Sequence, residues 1–232
     1  MNHSRNLLRQ GCSWVSEETE PDPETRREAL EFLCNSVWAF ARSEQRHLWG
    51  FHEDDAAFQR EVRAKLDPFE AEGLIEARHK PTRANNDLTR AINELPITYL
   101  RRIEMDKSAI AFADAMGACD RLFTSPVPLF YTRHAARFVG IYMMAMPFGL
   151  WSAFDTTCDH LLLIPAVALF AFFLFGTEEL AIQLEEPFSV LPLSTIAAGI
   201  GLSAKEHLDW YYEHENDAKD GNMYVSKYRI FE

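Results

Sequence analysis

The stretch that decides the fold is residues 138–176, which read FVGIYMMAMPFGLWSAFDTTCDHLLLIPAVALFAFFLFG. Only Asp155 and Asp159 are charged in this stretch, although the 232-residue chain has 23 Lys or Arg and 35 Asp or Glu. Two uncharged runs, residues 138–154 and 161–176, flank a short polar loop. A membrane helix needs about 20 apolar residues, with a lower limit of about 17. Both runs are therefore short, but each can span a bilayer if flanking residues contribute.

The second run, residues 161–176, is apolar on every face. Such a helix is typical of a lipid environment or of the core of a large protein. The rest of the chain has too little apolar mass to cover two helices of this kind on all sides. We therefore expect a transmembrane hairpin over residues 138–176, and the alternative is a soluble helical protein that buries the hairpin.

The distribution of basic residues predicts the orientation of this hairpin. All 23 Lys and Arg residues lie on the two polar arms, residues 1–137 and 177–232, and the loop at residues 155–160 has none. Basic residues are enriched on the cytoplasmic side of membrane proteins. We therefore expect both arms, and both termini, on the cytoplasmic or stromal side of the membrane.

The arms show the three- and four-residue spacing of amphipathic helices and no strand pattern. One such helix is predicted over residues 24–66, opened by Pro21 and Pro23. Further helices are predicted from Asp67-Pro68, from Lys80-Pro81 and over residues 96–122. The predicted fold class is an all-α membrane protein with one transmembrane hairpin and long amphipathic cytoplasmic helices.

Composition excludes several classes of function. The net charge of −12 and the pI near 5.1 argue against nucleic acid as a partner, because binding to phosphates needs a basic surface. The four cysteines form no C-x-x-C pair, so neither a zinc site nor a disulfide framework is predicted and free thiols are expected. No nucleophile motif, Gly-rich phosphate loop or H-E-x-x-H motif is present, so the sequence does not predict an enzyme, a metal site or a cofactor.

A dense acidic block, EELAIQLEEPF, follows the hairpin at residues 178–188. Carboxylates this close together are suited to general acid and base catalysis or to binding a hard cation. The alternative is the solvated end of a helix that leaves the membrane.

Several strings together resemble one family. They are SPVPLFYTRHAARF at residues 125–138, MPFGLW at 146–151, and FFLFGTEELAIQLEEPFSVLPL at 172–193, of which the acidic block is the most diagnostic. Shorter matches, at residues 2–11, 79–81, 105–106 and 117–121, occur in the same order. The chain resembles, to about residue 205, the bestrophin-like anion channels, in particular the branch of plants, algae, fungi and bacteria.

The resemblance implies a homopentamer in a lipid bilayer that conducts chloride, or bicarbonate, passively. It implies the plasma membrane or, in a photosynthetic organism, the chloroplast thylakoid membrane. Members of the family have two hairpins, and the hairpin at residues 138–176 resembles the second. The first is expected before Asn2, so the resemblance predicts a fragment from a truncated gene model, or else a genuine short form. An alternative function is a non-conducting membrane-anchored scaffold or partner subunit.

The resemblance also supplies the predicted sites. By counting in register, the cytosolic constriction falls near Leu100, with Ile97 and Ile103 as alternatives one helical turn away. Arg133 and Arg137 are predicted at the entry to the membrane, and Glu178 and Glu179 are expected to form hydrogen bonds between helices or subunits. The predicted motif at the membrane edge comprises Glu178, Glu179, Gln183, Glu185, Glu186, Pro187 and Phe188.

No calcium site of the animal type is expected. In animal members the Pro-Phe pair runs on into a cluster of aspartates, whereas Pro187-Phe188 is followed here by Ser-Val-Leu-Pro-Leu. A hard cation would therefore lack its carboxylate ligands at this position.

Overall fold

The computed structural model describes residues 1–16, 22–50, 54–124, 129–154, 161–185 and 187–219. These residues form helices, and no strand occurs among them. The chain divides into two compact units, one made of Met1–Cys119 with the segment that begins at Pro192, and the other of Asp120–Leu191. The all-α class predicted from the sequence is confirmed.

The helices are numbered in chain order. The first unit holds α1 (Asn2–Ser16), α2 (Pro23–Trp49), α3 (Asp55–Lys65), α4 (Pro68–Glu76), α5 (Lys80–Glu94), most of α6 (Tyr99–Thr124), and α9 (Leu193–Lys219). The second unit holds the end of α6, α7 (Leu129–Leu150) and α8 (Leu163–Glu185), with short 3-10 turns at Trp151–Phe154 and Pro187–Ser189.

Proline residues open three helices of the first unit. Pro23, Pro68 and Pro81 lie at the first or second helical position, where an amide N–H has no partner within the helix and its loss costs nothing. The starts predicted at Pro68 and at Lys80-Pro81 are confirmed. The predicted opening residue Pro21 lies outside the described residues.

The single helix predicted over residues 24–66 is wrong, because α2 ends at Trp49 and α3 begins at Asp55. Gly50 has a φ of 54°, a left-handed conformation that stops the helix. The Asp54 side chain then accepts a hydrogen bond from the Ala56 amide at 3.0 Å and caps α3.

Helix α2 is the centre of the first unit. It packs against α1, α3, α5 and α9, and its residues Leu30, Leu33 and Val37 are fully or almost fully buried. The other large, fully buried side chains of this core lie on α1, α3, α4, α5 and α6: Leu7, Leu8, Phe58, Leu74, Leu88, Ile92 and Met105.

Arginines of the first unit pair with carboxylates across helices. Arg27 on α2 contacts Glu215 on α9 at 2.7 Å, and Arg90 on α5 contacts Glu70 on α4 at the same distance. The Arg90 guanidinium also lies over the Phe32 ring of α2, 5.0 Å from its centroid. These arginines are therefore engaged within the unit.

In the second unit, α7 and α8 pack against each other. Among the described residues, one helix is long and apolar enough to cross a membrane, the stretch Leu163–Leu184 of α8. Helix α7 is not apolar enough over a membrane-spanning length, because its first half includes Arg133 and Arg137. The loop at residues 155–160, predicted to face away from the cytoplasm, lies outside the described residues.

Candidate functional site

The predicted constriction lies at the start of α6, which is held by two arginines. Arg101 donates to the Trp14 carbonyl at 3.4 Å and stacks over the Trp14 ring, 5.6 Å from its centroid. Arg102 donates to the Leu95 carbonyl at 3.0 Å. Neighbouring helical residues point in different directions, so these contacts turn the side chain of Leu100 away from the body of the first unit.

The three constriction candidates have different environments. Leu100 is 75% exposed and Ile103 is 40% exposed, whereas Ile97 is 8% exposed. Ile97 precedes α6, in a turn where its amide donates to the Leu95 carbonyl at 2.9 Å. Leu100 and Ile103 are one helical turn apart on α6, and with Ile110, which is also exposed, they form an apolar stripe.

Helix α8 exposes large apolar side chains on several sides, including Phe172 and Leu180. Only 6% of the membrane-length stretch is buried within the structure. Pro165 lies in the first turn of α8, where no helical hydrogen bond is lost, whereas Pro147 lies inside α7. An apolar helix that is almost wholly exposed among the described residues is suited to a lipid environment.

The acidic block occupies the last turns of α8. Glu178 is half-buried and Glu179 is exposed, and Glu179 accepts a hydrogen bond from the Gln183 side chain at 3.2 Å. The side chain of Glu185 and the whole of Glu186 lie outside the described residues.

The Pro187-Phe188 pair forms a short turn after α8. The amides of Val190 and Leu191 donate to the Pro187 carbonyl at 3.2 and 3.0 Å, and the Phe188 side chain is buried. The pair therefore ends α8, and α9 begins after it at Leu193.

The two predicted entry arginines, Arg133 and Arg137, lie one helical turn apart on α7 and are both exposed. The rings of Phe130 and His134 stack beside them with centroids 6.1 Å apart. Exposed cations next to aromatic rings are typical of a helix segment at a membrane interface.

Two contacts between residues distant in sequence were not predicted. The rings of His47 and His79 are 4.5 Å apart, and His79 Nδ1 also lies 3.3 Å from the Thr82 amide that it caps. The thiols of Cys12 on α1 and Cys34 on α2 are close enough for each to shift the pKa of the other. Neither pair has a spacing that would reveal it in the sequence, because both depend on how helices pack.

A helical body and a long apolar helix that is largely exposed among the described residues define a helical membrane protein. The sequence matches the profile of the family described as "Bacterial/Fungal Bestrophin protein" over residues 1–206. The chain belongs to this family, as the resemblance predicts.

Curated relatives carry channel names. The chain is 27% identical over 137 residues to "Voltage-dependent chloride channel 1, chloroplastic" of Arabidopsis thaliana, a match covering 59% of the chain and 32% of the relative. It is 27% identical over 204 residues to a "Voltage-dependent anion channel-forming protein" of Synechocystis sp., covering 84% of the chain and 62% of the relative. The chain thus spans about one third to two thirds of the length of these proteins. The relatives point to a channel family and not to an enzyme.

A solved structure supports the fold. The crystal structure of a bacterial bestrophin homologue from Klebsiella pneumoniae has a TM-score of 0.74 with 21% sequence identity. The match covers 89% of this chain and 73% of the other. The arrangement of helices described above is therefore the bestrophin fold.

Proposed function

We propose that the chain is a subunit of a passive anion channel, with chloride as the permeant ion and bicarbonate as a second candidate. The observation that carries the proposal is the family match over residues 1–206, together with relatives whose names describe chloride and anion channels. The long uncovered apolar helix α8 supports a membrane location.

The constriction is assigned to Leu100. Of the three candidates it is the most exposed, and Arg101 and Arg102 fix the start of α6 on which it lies. In a symmetric ring, one such leucine from each subunit makes a collar of apolar side chains. A collar of this kind controls permeation by its width and by loss of water from the pore.

The assembly is proposed to be a pentamer of identical subunits. The apolar stripe of Leu100, Ile103 and Ile110 on α6 supports assembly, because these side chains are exposed in the part of the chain that the structure describes. Apolar side chains of this size gain about 1.5–3 kcal/mol each when they are fully buried.

The membrane part is assigned to residues 138–176, and both arms are placed on the cytoplasmic or stromal side. Cys158, in the loop outside the described residues, provides a test. We expect a membrane-impermeant maleimide to label Cys158 from the exoplasmic or lumenal side only. A cysteine introduced by Lys205→Cys on the exposed surface of α9 should be labelled from the opposite side, and the reverse pattern would overturn the orientation.

The proposed roles of Glu178 and Glu179 are hydrogen bonds at the membrane edge, and that of Arg133 and Arg137 is to hold the start of α7 among lipid headgroups. An ionisable group at this depth is costly unless it is paired. The hydrogen bond from Gln183 to Glu179 lies within α8, so the proposed partners on another helix or subunit would come in addition to it. Chloroplast and cyanobacterial relatives make a thylakoid location one candidate and the plasma membrane the other.

The deciding experiment is current measurement in planar bilayers. Two proteins are compared: this chain, and the chain preceded by the segment that lies before the matched region in the Synechocystis relative. We expect the extended form to conduct, with a reversal potential that follows the chloride gradient and not the cation gradient.

The current measured from the two forms distinguishes the channel from the scaffold. Anion current from the extended form alone supports the channel and the prediction that the 232 residues are part of a longer protein. Current that follows the cation gradient overturns the anion channel. Absence of current from both forms, with intact oligomers seen by mass measurement, would favour the non-conducting scaffold.

A further inference from the structure

An open cavity of about 620 Å³ lies between α1 and α9 of the first unit, and Cys12 is in its wall. Arg9 and the rings of His207, Trp210 and Tyr211 line the same cavity. The His207 Nδ1 atom is 2.7 Å from the Ser203 carbonyl oxygen, and the His207 and Trp210 rings lie 5.1 Å apart. The aromatic side chains of α9 therefore form one wall of the cavity, and a small molecule that enters it meets the half-buried Cys12.

A second thiol lies directly behind Cys12. Gly11 lets α1 approach α2 closely, since a Cβ at that position would lie 2.6 Å from Leu33 Cδ2. The next residue on each helix is a cysteine, and the side chains of Cys12 and Cys34 are close enough for each to shift the pKa of the other. Cys34 is only 4% exposed, so Cys12 alone faces the cavity.

The two thiols differ in acidity. The hydrogen bond that Cys34 donates lowers the pKa of Cys12, although partial burial acts in the opposite direction. The same hydrogen bond and burial raise the pKa of Cys34 well above its ordinary value, with Glu31 adding to the rise and Lys65 opposing it. Cys12 is therefore the sulfur that becomes a thiolate, which is the form that reacts with oxidants.

We propose that Cys12 and Cys34 form an oxidation site for small hydroperoxides, with Cys12 as the reacting thiol and Cys34 as the resolving thiol. Both thiols and the cavity lie within the first unit, so this proposal stands independently of the channel function.

The chemistry has two steps. The Cys12 thiolate attacks one peroxide oxygen, an S–O bond forms, the O–O bond breaks, and the departing oxygen takes up a proton and leaves as an alcohol or water. The product is a sulfenic acid on Cys12. The Cys34 sulfur then attacks the Cys12 sulfur, the S–S bond forms, and the hydroxyl leaves with the Cys34 proton as water. The two thiols are oxidised by two electrons and the hydroperoxide is reduced by two.

The test uses the full chain in detergent, with Cys119→Ser and Cys158→Ser to remove the other thiols. The protein is treated with hydrogen peroxide, remaining thiols are alkylated, and the chain is digested with trypsin. Cleavage after arginine places Cys12 in the peptide 10–26 and Cys34 in the peptide 28–42. We expect loss of both alkylated peptides and the appearance of one cross-linked species lighter than their unmodified sum by two hydrogens.

Matched variants separate the roles of the two thiols. Cys34→Ser should stop the reaction at the Cys12 sulfenic acid, which dimedone traps, and Cys12→Ser should leave Cys34 reduced. Combining Cys34→Ser with Ser36→Cys moves the second thiol to another buried position of α2 and should also stop at the sulfenic acid.

If a variant does not fold, the wild-type chain can be used for the same mass measurement. Each possible pair of cross-linked cysteine peptides has a different mass, so the Cys12–Cys34 disulfide can be told apart from the others. Full alkylation of Cys12 after peroxide treatment of the folded chain overturns the proposal. A cross-link that joins two copies of the chain, detected by mixing labelled and unlabelled protein, overturns it as well.

Discussion

At the scale of single residues, exposure distinguishes positions that the sequence leaves equivalent. Ile97, Leu100 and Ile103 have the same apolar character and spacing, so counting in register cannot choose among them. The structure buries Ile97 and exposes Leu100. The difference arises from the contacts of Arg101 and Arg102 with backbone carbonyls. The contact of Arg101 with Trp14 joins residues distant in sequence, and the contact of Arg102 with Leu95 depends on the turn before α6.

The first prediction concerns Leu100→Ala in the conducting form. We expect a change in single-channel conductance or in the chloride permeability ratio, because a smaller side chain widens the apolar collar. Stability should change by no more than about 0.5 kcal/mol, since the side chain is exposed. Leu202→Ala on α9, also an exposed leucine, is the control and should leave the current unchanged. An unaltered pore in the Leu100 variant would contradict the assignment.

The second prediction concerns Gly201→Ala. A Cβ at this buried position of α9 would lie 2.7 Å from Trp38 Cδ1, and the Trp38 ring is held by the Lys65 ammonium 4.5 Å from its centroid. A rigid ring cannot move aside easily, so we expect destabilisation of about 1–3 kcal/mol. Thermal unfolding in detergent measures it.

The control for this prediction lies two residues away. Gly199→Ala meets only the flexible end of Met1, at 3.4 Å, and alanine favours a helix over glycine by about 0.8–1.0 kcal/mol. We therefore expect Gly199→Ala to be neutral or stabilising. Equal loss of stability in both variants would show that the contact with Trp38 is not the cause.

The third prediction is a pH dependence at Glu70. Burial raises the pKa of this carboxyl, and the Arg90 guanidinium 2.7 Å away only partly offsets the effect. The folded state therefore holds the proton to a higher pH than the unfolded state. The contribution of Glu70 to the free energy of unfolding is thus fully present at low pH and decreases as the pH rises above about 4. Glu70→Gln should flatten this fall, because an amide does not titrate in this range.

Melting temperatures measured across this pH range check the prediction, and Glu72→Gln provides a control of opposite sign. Arg63 donates a hydrogen bond to Glu72 at 2.7 Å and lowers its pKa, so this exposed pair loses its contribution as the pH falls. Parallel pH profiles for the wild type and Glu70→Gln would contradict the role given to burial.

At the scale of helices, the fourth prediction concerns membrane insertion of α8. Phe172→Lys places a charge near the middle of the helix on an exposed surface, which costs about 2.5–3.5 kcal/mol of insertion free energy. We expect a lower inserted fraction in a glycosylation-mapping assay. Leu202→Lys on α9 is the control and should not change the inserted fraction, and equal insertion of both variants would argue that α8 is covered by protein.

Helix starts could be predicted where a proline marks them, as at Pro68 and Pro81. The break between α2 and α3 was missed because the three- and four-residue spacing of apolar side chains continues through it. The local signals were Gly50 and Asp54, a helix terminator and a helix cap in the same short stretch. Pairs such as Arg90 with Glu70, or Cys12 with Cys34, could not be predicted, because they are set by packing and not by spacing.

At the scale of the whole molecule, the fifth prediction concerns assembly. We expect the purified protein in detergent to have the mass of five copies when measured by light scattering with correction for bound detergent. Ile110→Lys, which adds a charge to the apolar stripe of α6, should reduce the number of copies. Leu202→Lys, which adds the same charge to the exposed surface of α9, is the control and should leave the number of copies unchanged. A monomer for the unaltered chain would contradict the proposed ring.

The central position of α2 has a consequence for the order in which the first unit opens. Its contacts with α1, α3, α5 and α9 mean that no single neighbour can detach and leave α2 fully hydrated. Amides near Leu33 and Val37 should therefore exchange with solvent deuterium only when the whole unit unfolds, whereas those of the short helix α3 can exchange through local opening. The slowest-exchanging amides of the unit will thus report its global free energy of unfolding.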